Sequence, residues 1–313
     1  MKYQRLGRSE LKVSRIGMGC WAIGGQKWGP VSDADSVTAV KTALGLGVNF
    51  FDTADYYGLG HSERILGEAL GKSRSDVVLA TKVGLRWNKK GKIRHDLSPE
   101  HVFEACEQSL KRLKTDWIDL YQIHWPDPNT PLDKTLEALE KLVLQGKIRY
   151  IGASNLNKAL LNKVAKNPHF VSFQGPYNLL NREAETKLIP WCQKREVGFV
   201  GFEPLLKGIL TGKFTSFPDF PPGDMRKWDP LFGPERFSVN KKVAEKIERV
   251  GEKYGMSCTQ ISLSLLLKNT GVSTLIPGAK TKNQVVENVS AIKFLNDREV
   301  LDRIEKATIK LLS

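Results

Sequence analysis

The stretch from Asn49 to Gly60, NFFDTADYYGLG, decides the fold. Asn49, Phe50 and Phe51 follow a segment of helical periodicity. Consecutive apolar residues in that position suit the end of a parallel strand covered on both faces. Asp52 then caps the strand, and Tyr56, Tyr57, Gly58 and Gly60 follow at once. The chain therefore leaves the sheet carrying a carboxylate and a phenol at its carboxyl edge, where α/β folds bind ligands. The same layout recurs on the next two strands: one run ends at Lys82 and another, Ile118 to Ile123, at His124. Asp52, Tyr57, Lys82 and His124 are thus expected at one mouth.

Outward from this stretch, strand and helix alternate. Strands read at 15–20, 49–52, 77–82, 118–123, 148–154, 171–174, 197–203 and 272–276. Helices read at 33–46, 62–70 with Ser62 as N-cap, 98–113, 131–145, 157–166, 183–194, 240–254, 258–269, 282–294 and 297–312. Eight strands, each followed by helix, match the arithmetic of a (β/α)8 TIM barrel. The Leu6-Gly7-Arg8-Ser9 turn adds an N-terminal β-hairpin over 1–14, and the last segment adds an extra C-terminal helix. No Ser/Gly-rich linker divides the chain, so 1–313 reads as one domain. Two long segments, 84–97 and 207–238, read as active-site loops.

A competing reading starts from Gly17-Met18-Gly19-Cys20-Trp21-Ala22, which fits the dinucleotide fingerprint of a Rossmann fold. But Gly24, Gly25, Gly29 and Pro30 intervene before any helix, and Asp52 lies farther along than the roughly 20 residues expected for a ribose-binding acid. That reading also leaves Tyr57, Lys82 and His124 without roles. The barrel is preferred.

Composition narrows the function classes. With 313 residues and 41% apolar content the chain can bury a large core. A net charge of +14 favours anionic partners. The Lys and Arg residues are nevertheless dispersed, without a dense run or an aromatic platform, so nucleic acid is not the expected partner. The opening is charged and no apolar run approaches the roughly 18 residues of a membrane span, which points to a cytoplasmic protein without a membrane segment. Cys20, Cys106, Cys192 and Cys258 are too far apart for a zinc or redox motif and read as reduced packing residues. Of five histidines only His124 ends a strand, so no metal centre is expected.

A phenol with a pKa near 10 is a sluggish proton donor alone. A neighbouring ammonium favours phenolate, so Lys82 is expected to lower the pKa of Tyr57. Asp52 would keep Lys82 charged, and His124 would orient a substrate oxygen. Together they suit protonation of an oxygen that develops negative charge.

These residues resemble the aldo-keto reductase family. The resemblance runs through Asp52-Thr53-Ala54 with Tyr57-Gly58, Thr81-Lys82, Gln122-Ile123-His124-Trp125-Pro126-Asp127, Gly152-Ala153-Ser154-Asn155, Gln174 with Tyr177-Asn178, and Ile276-Pro277-Gly278-Ala279 with Gln284, Glu287 and Asn288, in that order. It implies a barrel that binds NADPH, with NADH less favoured, in extended form and reduces small aldehydes or ketones. Tyr57 would be the general acid, tuned by Lys82 and Asp52, with His124 orienting the carbonyl.

The resemblance also implies a set of cofactor contacts. Ser154, Asn155 and Gln174 would hold the carboxamide, with Asp52, Gly19, Cys20 and Trp21 nearby. Gly278, Lys280, Gln284, Glu287 and Asn288 would grip the adenosine half, with Lys280 a candidate for a 2′-phosphate. Pro204, Leu205, Lys207 and Lys213 complete the set. Phe202 stands where many members place Tyr or Trp under the nicotinamide, and Glu203 where a serine often meets the pyrophosphate. A carboxylate there repels phosphate unless it pairs with a base such as Lys207 or Lys213. Trp28, Tyr56, Trp87 and Trp125 read as apolar substrate walls. An alternative from another class is a cofactor-binding regulatory or redox-sensing subunit resembling potassium-channel β-subunits, which tend to lack the histidine present here as His124.

Overall fold

The computed structural model describes residues 1–25, 27–88 and 92–312; the part of the expected 84–97 loop at 89–91 lies outside the described residues. Tyr3–Arg5 (β1) and Lys12–Ser14 (β2) pair antiparallel. Their turn passes through Gly7, at φ 56°. A β-carbon there would lie 2.4 Å from the Val171 carbonyl oxygen, so the turn needs glycine to press against the barrel. Leu6, Leu11 and Val13 share a buried cluster with Phe50, Val78, Leu120, Val171 and Val200. The hairpin thereby plugs the amino end of the barrel.

The barrel strands are Met18–Gly19 (β3), Phe50–Asp52 (β4) and Val78–Val83 (β5). A small antiparallel ribbon of Leu85–Trp87 (β6) and Ile93–His95 (β7) follows. Then come Ile118–Ile123 (β8), Ile148–Ser154 (β9), Phe170–Pro176 (β10), Gly198–Phe202 (β11) and Val272–Leu275 (β12). The eight strands pair in parallel in the order β3-β4-β5-β8-β9-β10-β11-β12. Parallel bridges from Ile16 to Leu275 and from Gly19 to Gly278 close the ring. Their backbone bonds include Gly17 N to Leu275 O at 2.8 Å. The (β/α)8 barrel with its N-terminal hairpin is the fold.

The helices are Asp33–Gly45 (α1), His61–Leu70 (α2), Pro99–Leu113 (α3), Leu132–Leu144 (α4), Lys158–Val164 (α5), Leu188–Lys194 (α6), Pro234–Glu252 (α7), Cys258–Leu267 (α8), Lys282–Ser290 (α9) and Arg298–Leu312 (α10). α3 shows how sequence starts a helix: the Ser98 hydroxyl accepts from His101 N, and Pro99 fills the first turn. α10 is the extra C-terminal helix and packs on α7 and α8.

Several local expectations are corrected. Ser62 does not cap α2: Gly60 takes that place with φ 86°, and the Ser62 hydroxyl donates to Cys20 O at 2.7 Å. The 84–97 segment contains the β6–β7 ribbon. The 207–238 segment contains three 3-10 turns, and α7 begins at Pro234 because proline suits a first helical turn. The expected 183–194 helix divides into a 3-10 turn, Glu183–Glu185, and α6; Pro190, which lacks an N–H, falls in the first turn of α6. The first barrel strand is only Met18–Gly19, with Ile16 held by a single bridge.

Among the described residues no helix is long and apolar enough to cross a membrane, and no His, Cys, Asp and Glu cluster is grouped as a metal site. The four cysteines are free and buried.

Candidate active site

The strand ends place the four residues together. Asp52 is the last residue of β4, Lys82 lies one residue before the end of β5, and His124 follows β8 directly. Tyr57 stands on the segment joining β4 to α2. Lys82 is fully buried, and its three protons meet three acceptors. Its Nζ donates to Asp52 Oδ1 at 2.6 Å, Thr53 O at 2.8 Å and Tyr57 OH at 3.3 Å. The other Asp52 oxygen accepts from Gln122 Nε2 at 3.0 Å and Gln174 Nε2 at 2.8 Å. A carboxylate buried this deeply is tolerable because each oxygen is paired.

Burial alone would lower the pKa of Lys82. The Asp52 carboxylate and the Tyr57 phenol outweigh it and hold the ammonium above its ordinary value. For Tyr57, burial is the largest influence and raises the pKa, with Lys82 opposing it and Asp52 adding to the rise. The net shift is upward, which corrects the expectation that Lys82 would bring the phenol down. Burial, followed by repulsion from Lys82 and His95, holds His124 well below the ordinary imidazole value, so its ring is neutral near pH 7. Its Nδ1 is buried without a hydrogen-bond partner. Its carbonyl accepts from Asn155 Nδ2 at 2.9 Å, and its ring lies edge-on to Tyr57 with centroids 5.9 Å apart.

Tyr57 and His124 open into a cavity of about 930 Å³. Its aromatic and apolar lining includes Trp21, Trp28, Tyr56, Leu85 and Trp125. Trp21 stacks on Tyr57 at 5.7 Å and meets Trp28 edge-on at 5.2 Å. Trp87 is not among the cavity-lining residues; its ring meets Tyr56, which is, with centroids 6.0 Å apart and the planes tilted by 60°.

Gly19, Cys20, Ser154, Asn155, Gln174, Phe202, Glu203, Pro204, Leu205 and Lys207 also line the cavity, as do Lys213, Gly278, Lys280, Gln284, Glu287 and Asn288. Lys207 Nζ lies 3.6 Å from Glu203 and 2.5 Å from Asp229, so Glu203 has the basic partner it needs. Burial raises the pKa of Glu203, with Lys207 opposing.

Sequence reasoning missed Gln122, Arg226 and Lys27. Gln122 had a signal, since it sits two residues before His124 on the same face of β8. Arg226 had none, lying in a segment without periodicity. Arg226 forms a bidentate pair with Asp224 at 3.0 and 2.6 Å. Lys213 and Lys280 form no ion pair among the described residues. Lys213 is exposed overall, yet its Nζ would lie 2.9 Å from a β-carbon at Gly208. Desolvation there, then repulsion from Arg226 and Lys280, brings the Lys213 ammonium down to about 8. Burial and Arg226 likewise lower the pKa of Lys280. Three cations sharing one carboxylate suit an anionic ligand.

The chain matches the model of the Aldo/keto reductase family over residues 15–309. It is 35% identical over 288 residues to aldo-keto reductase YhdN of Bacillus subtilis, covering 91% of this chain and 87% of the relative. It is 33% identical over 331 residues to the NADH-specific methylglyoxal reductase of Escherichia coli, covering 98% of this chain and all of the relative. A solved glycerol dehydrogenase from Gluconobacter oxydans superposes with a TM-score of 0.87 at 34% identity, covering 99% of this chain and 94% of that one. Family match, barrel and site geometry agree: the chain belongs to the aldo/keto reductase family of oxidoreductases.

Proposed function

We propose that the protein reduces small aldehydes or ketones to alcohols with NADPH, and that Tyr57 is the general acid. The observation that carries this reading is the Lys82 ammonium bonded at once to Asp52 and to the Tyr57 hydroxyl, beside a neutral imidazole in one cavity. The bound cofactor supplies hydride to the carbonyl carbon. Tyr57 gives its proton to the carbonyl oxygen, and Lys82 stabilises the phenolate left behind. Asp52 keeps Lys82 charged and fixed, and Gln122 and Gln174 keep Asp52 in place. His124 donates a hydrogen bond from its neutral ring to the same substrate oxygen. His124 also favours an enzyme over a purely regulatory subunit.

The cavity fits a dinucleotide on its own residues. Ser154, Asn155 and the Oε1 atom of Gln174 would hold the carboxamide, and Phe202 offers a ring for stacking. Lys280 and Lys213, beside the paired Arg226 and Asp224, provide the unneutralised positive charge that a 2′-phosphate would meet. A fluorescence titration with NADPH and NADH tests this part. Lys280→Met should weaken NADPH by about tenfold or more, the worth of a charge-assisted hydrogen bond, and leave NADH nearly unchanged. Equal weakening of both cofactors, or of neither, would contradict the phosphate role.

A further inference from the structure

We propose that Lys27 and the Tyr56 hydroxyl form a seat for an anionic group on the substrate, so that the favoured substrates are carbonyl compounds that also carry a negative charge. The proposal rests on the reductase reading above and assigns the substrate class of that same site.

Lys27 lies on the segment joining β3 to α1. Its Nζ donates to Tyr56 OH at 2.8 Å and stands 5.3 Å from the centre of that ring. Tyr56 immediately precedes Tyr57, and both Lys27 and Tyr56 line the cavity that Tyr57 and His124 share. An ammonium has three protons and a phenol one. With a single bond between the two groups, each keeps a proton to donate. Among the described residues Lys27 forms no ion pair. By contrast, nearby Arg86 is paired with Asp96 and Glu104, and Lys207 with Asp229.

The backbone gives an independent reason. Lys27 has φ 69°, a left-handed conformation that glycine or asparagine adopts far more readily than lysine. Lys27 O accepts from Met225 N at 2.8 Å, which ties the strained residue to the 207–238 segment. Local geometry therefore does not ask for lysine at this position, so its use lies in the side chain. Trp21 and Trp28 line the same cavity, and the Lys27 ammonium is exposed, so an incoming anion can reach it. Lys280 and Arg226 both meet Trp28, the residue after Lys27, but neither bonds Tyr56, and with Lys213 they are the cations that the cofactor's phosphate would neutralise. Lys27 is left for the substrate.

The test compares kcat/KM for para-formylbenzoate and its uncharged methyl ester at low salt, in wild type, Lys27→Met and Lys27→Arg. The wild type should prefer the carboxylate by about tenfold or more, as for one charge-assisted hydrogen bond. The ratio should fall toward parity in Lys27→Met, chiefly through KM for the carboxylate, and return in Lys27→Arg. The ratio is internal to each variant, so a general loss of stability does not imitate the result. Wild type reducing both aldehydes without preference, or a preference that persists in Lys27→Met, would overturn the anion seat while leaving the reductase reading intact. Failure to reduce either aldehyde would overturn the reductase reading and this inference with it.

Discussion

Each proton of Lys82 has an acceptor, and each oxygen of Asp52 has a donor, so nothing in this buried group is free to rearrange cheaply. Removing one partner strands the other: an unpaired buried charge typically costs about 3–5 kcal/mol. The pKa directions of the site then fix how activity depends on pH. With Tyr57 as the proposed proton donor, reduction needs the phenol protonated, and its pKa is raised from the ordinary value of 10, so the donor form persists through neutral and mildly alkaline pH. His124 is held well below 6.5 and does not change charge in that range. The kcat/KM profile for reduction should therefore be flat between about pH 6 and 9, as measured by cofactor oxidation with a saturating second substrate. An inflection near 6.5 would mean that His124 titrates. A fall between about pH 7 and 9 would mean that Lys82 lowers the phenol after all, the outcome first expected from the sequence.

At the scale of elements, the segment carrying Tyr57 is braced against the β3–α1 connection. A β-carbon on Gly24 would lie 2.9 Å from Tyr57 C and 3.0 Å from Gly58 N, and one on Gly58 would lie 2.2 Å from Gly24 O. These are backbone atoms that cannot swing aside. Gly24→Ala should destabilise the fold by about 1–3 kcal/mol, as overpacking does, and should lower kcat by displacing Tyr57. Urea denaturation and steady-state kinetics on the same preparation check both; an unchanged kcat would show that Tyr57 does not depend on this contact. The same elements show what the sequence made legible. Asp52, Lys82 and His124 were readable because each is a polar residue at or within one residue of the carboxyl end of a strand rich in apolar residues. Ser62 misled because its hydroxyl serves the Cys20 carbonyl across the sheet, and a serine at a helix start carries no mark of which partner it takes. Trp87 was named as a wall because sequence does not separate a ring that lines the cavity from one that packs on a lining ring, here Tyr56. Arg226 stayed hidden in a segment whose turns are set by contacts with distant residues, such as Met225 N on Lys27 O.

At the scale of the molecule, barrel closure joins the two ends of the chain into one site. The bridge from Gly19 to Gly278 brings the first and last barrel strands side by side. The cavity accordingly draws Trp21 and Lys27 from one end of the sequence, and Lys280 and Asn288 from the other. This is why dispersed motifs in a fixed order could identify the family while no local stretch could show the cavity. The hairpin of β1 and β2 covers the opposite end, and the cavity lies at the carboxyl edge with the polar strand ends. We propose that this arrangement serves to deliver a proton from Tyr57. The most direct test is turnover of an aldehyde with NADPH by wild type and by Tyr57→Phe, with cofactor affinity measured in parallel by fluorescence. The variant should lose activity by about a hundredfold or more, the usual worth of a general acid, while binding the cofactor as well as wild type does. A variant that binds the cofactor normally and still reduces the aldehyde at the wild-type rate would contradict it.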